Sequence, residues 1–216
     1  MKKKTSNIMI PLTNEFLKDK NINDLIYSYL QLNSSFDYNT KQRYIEKEKT
    51  KSINKMYKDI QDIRAKNNIG FCSYNKFSKG FKVIINSLLI NESIINNKQV
   101  YILNEFTPNK IIPYETINFL TSVCNDNVIK VYVYLLNKFD YSNNVLKRNY
   151  MFTMGELAES IGYSKTNTIY IKNILQALKD FKLIDYKITK VKIPNNNIVT
   201  KQLELLNVSK NKYYDF

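Results

Sequence analysis

The chain has 216 residues, of which 33 are basic and 19 acidic, so its formal net charge is +14 at pH 7, and 44% of its residues are hydrophobic. This length and apolar content allow one large domain or two small ones and exclude a mainly disordered chain. No apolar run approaches the roughly 20 residues that span a bilayer, and no apolar segment follows the basic start, so we expect a cytoplasmic protein. The positive charge favours a polyanion as partner.

The sequence indicates neither a metal site nor a catalytic site. It has no histidine, and its two distant cysteines, Cys72 and Cys124, are interpreted as buried thiols rather than zinc ligands or a disulfide. Its four glycines do not cluster as a phosphate-binding loop requires. Glu156 and Glu159 fall at a predicted helix start, where capping explains the first and solvent the second. We therefore expect no enzymatic activity, no cofactor and no bound metal.

Short motifs of the first half recur in the second half in the same order. The pairs are Ile10-Pro11 with Ile112-Pro113, Phe16-Leu17 with Phe119-Leu120, Tyr27-x-Tyr29-Leu30 with Tyr132-x-Tyr134-Leu135, and Phe36-Asp37-Tyr38 with Phe139-Asp140-Tyr141. Their offsets stay between 102 and 105 residues. Four ordered matches at nearly constant offset predict an internal duplication.

Later in the first half, the sequence predicts two helices and a strand. Phe81, Ile84, Ile85 and Leu88 lie 90 residues before Ile171, Ile174, Leu175 and Leu178, which predicts matching helices and places the first at about Lys76 to Ile90. An amphipathic helix within residues 47–66 precedes it and takes up the extra length of the first repeat. Gln99 to Asn104 is predicted as a strand, and Thr107-Pro108-Asn109 as the junction. A rival register instead makes Lys51 to Arg64 the matching helix.

Residues 150–192 give the clearest succession of elements. After the β-prone Tyr150-Met151-Phe152, Thr153 and Glu156 form a T-x-x-E capping box, and Gly162 suits the left-handed residue that ends the helix. A turn at Tyr163-Ser164-Lys165 leads to a second helix that buries Ile171, Ile174, Leu175 and Leu178. Alternation from Leu183 to Thr189, the turn cluster Pro194-Asn195-Asn196-Asn197 and the β-prone run Val199 to Val208 predict a hairpin.

This succession is the order of a winged helix, in which a helix-turn-helix is followed by a β-hairpin wing. We therefore expect an α+β, mostly helical protein of two tandem winged-helix domains, over residues 1–107 and 108–216. With the capping box, the Ile-Gly-Tyr-Ser turn at 161–164, the Ile-Leu-x-x-Leu helix and the Leu-Ile-Asp-Tyr strand entry, the second half resembles winged-helix domains of replication initiators and replisome organisers from phages and plasmids of low-GC Gram-positive bacteria. The first half shares the resemblance only through the repeat.

The resemblance implies that the second helix of the helix-turn-helix enters the major groove of DNA and that the wing touches the flanking backbone. Carried over residue by residue, it gives these DNA-binding candidates: Ser164, Lys165, Thr166, Ile169, Tyr170, Lys172 and Asn173 on the helix, and Lys187, Lys190 and Lys192 on the wing. The lysines also fit the charge pattern, since residues 186–212 carry six lysines against Glu204 alone.

The expected partner is double-stranded DNA with an AT-containing site. Val83 stands where the second helix has Asn173 in the predicted register. The second domain is therefore the expected base reader, and the first is expected either to form a homodimer or to hold the DNA backbone. Three roles remain open: a plasmid or phage replication initiator, a transcriptional or partition regulator, and an adaptor whose winged helices bind protein.

Overall fold

The computed structural model describes residues 7–50, 53–105, 108–125, 127–145, 150–192 and 199–209. The fold is α+β, with about 47% of the described residues in helices and with small antiparallel sheets. Contacts divide the chain into two compact units, Met1–Ile129 and Lys130–Phe216. The division differs from the boundary expected after residue 107, and the pairing of an early strand explains the difference, as described below.

The first unit contains two small sheets and five helices among its described residues. In chain order the elements are β1 (Asn7–Pro11), α1 (Asn14–Lys18), α2 (Asp24–Leu32), β2 (Ser35–Asp37), β3 (Gln42–Glu46), a 3-10 turn (Lys47–Thr50), α3 (Ile53–Ala65), α4 (Tyr74–Ile85), β4 (Ile90–Ile95), β5 (Lys98–Leu103), β6 (Asn109–Pro113) and α5 (Tyr114–Val123). Strand β1 pairs with β6, and the other sheet has the order β2-β3-β5-β4.

The second unit contains nearly all of helix α6 (Val128–Val145), which begins just before the division. Its remaining elements are β7 (Tyr150–Phe152), α7 (Met154–Ser160), α8 (Thr168–Asp180), β8 (Ile184–Lys192) and β9 (Val199–Val208). The sheet order is β7-β9-β8, so the last strand lies between the other two. The strand, both helices and the hairpin predicted from the sequence over this stretch are confirmed, and the turn cluster at 194–197 lies outside the described residues.

Both predicted repeats follow the same order of elements, apart from one extra strand, β2, and a 3-10 turn in the first. Each has a strand, two helices, the strand β3 or β7, two further helices and a hairpin, and the three strands of the later part pair alike, as β3-β5-β4 and as β7-β9-β8. The first three sequence matches occupy equivalent elements. The fourth does not, because Phe36 lies in β2 whereas Phe139 lies within α6. The first repeat therefore has an inserted strand where the second has a longer helix.

The register predicted for the two later helices is wrong by one turn. Helix α4 ends at Ile85 and buries Phe77, Phe81 and Ile84, whereas Leu88 lies beyond the helix and is 73% exposed. These buried residues match Ile171, Leu175 and Leu178 of α8 at an offset of 94 residues, not 90. At that offset Asn173 corresponds to Lys79, so the comparison of Asn173 with Val83 no longer holds. Helix α3 takes the place of α7, which argues against the rival register.

Strand β4 was not predicted, and its first residue, Ile90, falls at the end of the helix that the sequence predicts before it. Asn96 and Asn97 both adopt positive φ, 49° and 62°, and pair β4 with β5 through a two-residue turn. Positive φ at both central residues is the geometry of a type I′ hairpin, and asparagine tolerates it better than most residues. The Asn-Asn pair was therefore the available indication of a hairpin.

The pairing of β1 with β6 moves the start of the second repeat into the first unit. Ile8 is directly opposite Ile112 in this ladder, and both side chains are fully buried. Helix α5 follows β6 without a break and packs against α2 and α3, burying Ile117 and Leu120. Two elements that belong by sequence to the second repeat thus contribute to the core of the first unit.

A buried arginine donates hydrogen bonds to carbonyl groups at the C-terminal end of α5. Arg64 is 1% exposed, and its guanidinium donates to the carbonyl oxygens of Gly70 at 3.0 Å, Thr121 at 3.0 Å and Cys124 at 2.6 Å. The last carbonyls of a helix have no partner within the helix, and a cation there also meets the negative end of the helix dipole. Arg64 therefore satisfies groups of α5 that burial would otherwise leave unpaired.

The buried Asp24 accepts hydrogen bonds from backbone amides at the start of helix α6. Its carboxylate oxygens accept hydrogen bonds from the backbone amides of Asn127 at 2.7 Å and Ile129 at 2.9 Å, at the beginning of α6. A carboxylate there satisfies amides that lack an acceptor within the helix.

Gly80, in the middle of α4, allows this helix to pack closely against Ile26 of α2. A Cβ at position 80 would lie 3.0 Å from Cδ1 of Ile26.

We expect Arg64→Lys to lower the free energy of unfolding by about 2–4 kcal/mol, because an ammonium cannot reproduce the planar set of hydrogen bonds to the three carbonyl oxygens around Arg64. Urea unfolding followed by circular dichroism measures this. The matched control is Lys58→Ala, which removes an exposed cation from the same helix. Equal stability of the two variants would contradict a structural role for Arg64.

We also expect a fragment of residues 127–216 to unfold cooperatively at nearly the same temperature as a fragment of residues 108–216. The longer fragment should bind more of a hydrophobic dye, because β6 and α5 have lost their partners in the first unit. Calorimetry and dye fluorescence test this. If the longer fragment melts more than about 4 °C higher, the shift that about 1 kcal/mol produces, then β6 and α5 stabilise the second unit after all.

Candidate nucleic-acid interface

The helix-turn-helix of the second unit begins at a complete capping box. Thr153 is the N-cap of α7, and its hydroxyl accepts a hydrogen bond from the Glu156 amide at 3.1 Å, while a Glu156 carboxylate oxygen accepts one from the Thr153 amide at 2.6 Å. The helix ends at Ser160, and Gly162 follows with φ of 80°. Both ends were predicted correctly, because each depends on short-range hydrogen bonds and backbone preferences.

The turn between the two helices is closely packed. A Cβ at Gly155 would lie 3.2 Å from the carbonyl oxygen of Lys165, so the glycine allows α7 to approach the turn. The hydroxyls of Ser164 and Thr166 are 3.0 Å apart, and the Lys165 ammonium lies 3.4 Å from the Glu159 carboxylate. The close approach of the turn to α7 and these side-chain contacts therefore define the conformation of the first candidate residues, Ser164, Lys165 and Thr166.

Helix α8 separates a buried stripe from an exposed polar face, as the sequence predicted. Its buried residues are Ile171, Ile174, Leu175 and Leu178. Ile169 on the other side is 76% exposed. The further candidates that are exposed are Ser164, Lys165, Thr166, Lys172 and Asn173. Tyr170 is the exception, because it is half-buried and its ring centroid lies 5.3 Å from that of Tyr163.

The hairpin β8–β9 is attached to the C-terminal end of α8. The Lys179 ammonium lies 2.8 Å from the Asp185 carboxylate and donates to the Tyr186 carbonyl oxygen at 3.1 Å. The hydrogen bond between Lys179 and Asp185 lowers the pKa of the Asp185 carboxyl and raises the pKa of the Lys179 ammonium. An irregularity between Asp185 and Tyr186 shifts the register, so that both Leu205 and Val208 of β9 remain buried. The base of the hairpin therefore has a defined position relative to α8.

The wing lysines lie on different faces of the hairpin. Lys187 is directly opposite Glu204, and their charged groups are 3.0 Å apart. Lys190 is directly opposite Lys201, and both side chains are exposed. Because side chains alternate between faces along a strand, these two pairs point to opposite sides. The third candidate, Lys192, ends β8, and its side chain lies outside the described part of the chain.

Lys201 was not among the candidate residues. The sequence counted it only among the lysines of residues 186–212, and the strand register places it opposite Lys190 on the same face as Ile188 and Leu203. A cavity of about 270 Å³ lies on this side of the hairpin and extends to the first residues of α7 and α8. Its lining is formed by Thr153, Met154, Gly155, Thr168, Ile188, Lys201, Gln202 and Leu203. Among the described residues of this lining, Lys201 is the one with a charge, beside mostly apolar groups.

The part of the chain that the structure describes offers neither a metal site nor a membrane-spanning helix. No group of three or more histidine, cysteine, aspartate or glutamate side chains is arranged to hold a metal ion there. No described helix has the length and apolarity needed to cross a membrane. Cys124 is buried as expected, whereas Cys72 is partly exposed, contrary to expectation, in the loop that precedes α4. Comparison of the chain with protein-family models, curated proteins and solved structures finds no match.

We expect Thr153→Ala to lower the free energy of unfolding by about 0.5–2 kcal/mol, because the Glu156 amide loses its acceptor at the start of α7. Thr153→Ser is the matched control, since it keeps the hydroxyl and should remain near wild-type stability. Urea unfolding of the full chain, followed by circular dichroism, distinguishes the two. Equal destabilisation by both substitutions would mean that the methyl group, not the cap, supplies the stability.

Proposed function

We propose that the chain is a tandem winged-helix protein that binds specific double-stranded DNA through the exposed face of α8 and the hairpin β8–β9. The order helix, strand, helix, helix, strand, strand supports this for the second unit, together with a last strand that lies between the other two. The same order in the first unit supports the tandem arrangement. The observation that carries the proposal is the polar face of α8, which is exposed opposite a complete buried stripe.

The residues on that face suit the edges of A·T base pairs. An exposed asparagine such as Asn173 can form two hydrogen bonds to adenine in the major groove, and an exposed isoleucine such as Ile169 can contact a thymine methyl group. Lys165 and Lys172 add positive charge for the neighbouring phosphates. Tyr170 is half-buried against Tyr163, so we assign it to orienting the start of α8 rather than to a direct base contact.

The first unit is better suited to the DNA backbone than to a protein interface. In the observed register Lys79 takes the place of Asn173, and Lys76 and Lys82 are also exposed on α4. A row of lysines attracts phosphates, whereas the cores of protein interfaces are depleted in lysine. We therefore favour backbone contact over dimerisation for α4.

The biological role follows only from the resemblance, which points to initiation or organisation of plasmid or phage replication. A regulator of transcription or partition would use the same surfaces. An origin-containing minicircle that is maintained only when this gene is present supports the replication role. Repression of a promoter without maintenance supports the regulator, and failure to retain any duplex at low salt supports a protein-binding adaptor.

We expect Asn173→Ala to cost on the order of 1–3 kcal/mol at the preferred site and to relax the preference at one or two base pairs, with nonspecific binding nearly unchanged. The fold should survive because the side chain lies opposite the buried stripe. Selection from random duplexes followed by affinity measurement tests this. The control is Gln176→Ala, an exposed change later on the same helix. Identical selected sequences and affinities for wild type and Asn173→Ala would show that this position does not read DNA.

A further inference from the structure

Two lysines stand directly opposite each other on the hairpin of the second unit. Lys190 of β8 pairs in register with Lys201 of β9, and both side chains are exposed. Like charges directly opposite each other destabilise an antiparallel pair. Neither ammonium makes an ion pair with a described residue. The hairpin therefore holds a local concentration of positive charge that its own described residues do not neutralise.

The opposite face of the same hairpin is different. Lys187 faces Glu204 across the strands, with their charged groups 3.0 Å apart, and the Glu204 side chain is only 13% exposed. A phosphate that approached Lys187 would compete with a carboxylate already in place, so the gain in attraction would be small. The two faces of the hairpin thus present one lysine paired with a carboxylate and one pair of lysines that no described acidic residue neutralises.

The face that carries Lys190 and Lys201 also contains an apolar recess. Ile188 and Leu203 lie on this face, next along the strands from the two lysines, and they line the cavity together with Met154 and Thr168 at the starts of α7 and α8. Ile188 is 56% exposed. A polynucleotide backbone alternates anionic phosphates with deoxyribose rings that carry C–H groups. Lysines beside an exposed isoleucine match that alternation better than they match a free inorganic anion, which has no apolar part.

We propose that the backbone of one DNA strand lies against this face of the hairpin, with phosphates at Lys190 and Lys201 and a deoxyribose at Ile188. Lys187 is removed from the interface and serves the hairpin through Glu204. This inference rests on the proposed DNA-binding function and adds the face of the wing and a contact for Lys201, which the sequence had counted only among the lysines of residues 186–212. It also accounts for the like-charged pair, which weakens the free hairpin and is neutralised when phosphates are bound.

The test measures how the affinity of the full chain for a mixed-sequence duplex of about 20 base pairs depends on salt, since each lost phosphate contact lowers the slope by about one. Lys201→Ala and Lys190→Ala should each flatten the slope by about that amount. Lys187→Ala is the matched control from the same hairpin and should leave it unchanged. Lys201→Arg, which conserves the charge, should keep the wild-type slope.

Thermal unfolding separates a loss of contact from a loss of fold. Lys201→Ala should keep or slightly raise the melting temperature because a like-charge repulsion is removed, and Lys187→Ala should slightly lower it because the ion pair between Lys187 and Glu204 is lost. A flattened slope for Lys187→Ala, or an unchanged slope for Lys201→Ala, would overturn the assignment of the face while leaving DNA binding intact. If wild type binds the duplex without salt dependence, the proposed function itself fails.

Discussion

Burial of one apolar stripe on α8 determines what the second unit can present to a partner. Because Ile171, Ile174 and Leu178 recur at helical spacing and are all buried, the helix has one rotation about its axis that satisfies them. That rotation directs Asn173 and Ile169 outward. The capping box at Thr153 and the close approach of Gly155 to the turn then fix the neighbouring helix, and the contacts of Lys179 fix the base of the hairpin. Each part of the proposed interface depends on this packing.

The similarity between the starts of the two predicted repeats has a structural consequence. The first strands of the two repeats have similar sequences, and they pair with each other in the first unit. As a result α5 and β6 are separated from the rest of their own repeat, and the buried Arg64 satisfies the carbonyls at the end of α5. A buried cation is retained only where such acceptors surround it. The position of the division at Ile129 is therefore a result of strand pairing rather than of sequence similarity.

The placement of charge is more informative about the proposed DNA contact than the net charge of +14. Lysines of the same strand can have different surroundings, because alternate residues face opposite sides of the sheet. Lys187 is neutralised by Glu204, whereas Lys190 and Lys201 concentrate charge beside an apolar recess. In the first unit the corrected register similarly replaces the aliphatic Val83 by Lys79 in the comparison with α8. Of the two partners left open by the sequence, this favours the DNA backbone over a second subunit as the proposed partner of α4.

The sequence by itself determined the elements of residues 150–192 and the exposed face of α8, because caps, turns and helical periodicity act over a few residues. It also indicated the repeat, although one of the four matches joins a strand to a helix. Only the tertiary structure decided where the units divide, which residues of α4 match α8, and which lysines share a face of the hairpin. These features depend on contacts between residues far apart in the chain: the pairing of Ile8 with Ile112, the burial of Phe77, and the strand register that sets Lys190 opposite Lys201. Neither local propensity nor composition contains that information, because strand register and burial are set by the partner that each element meets in the folded chain.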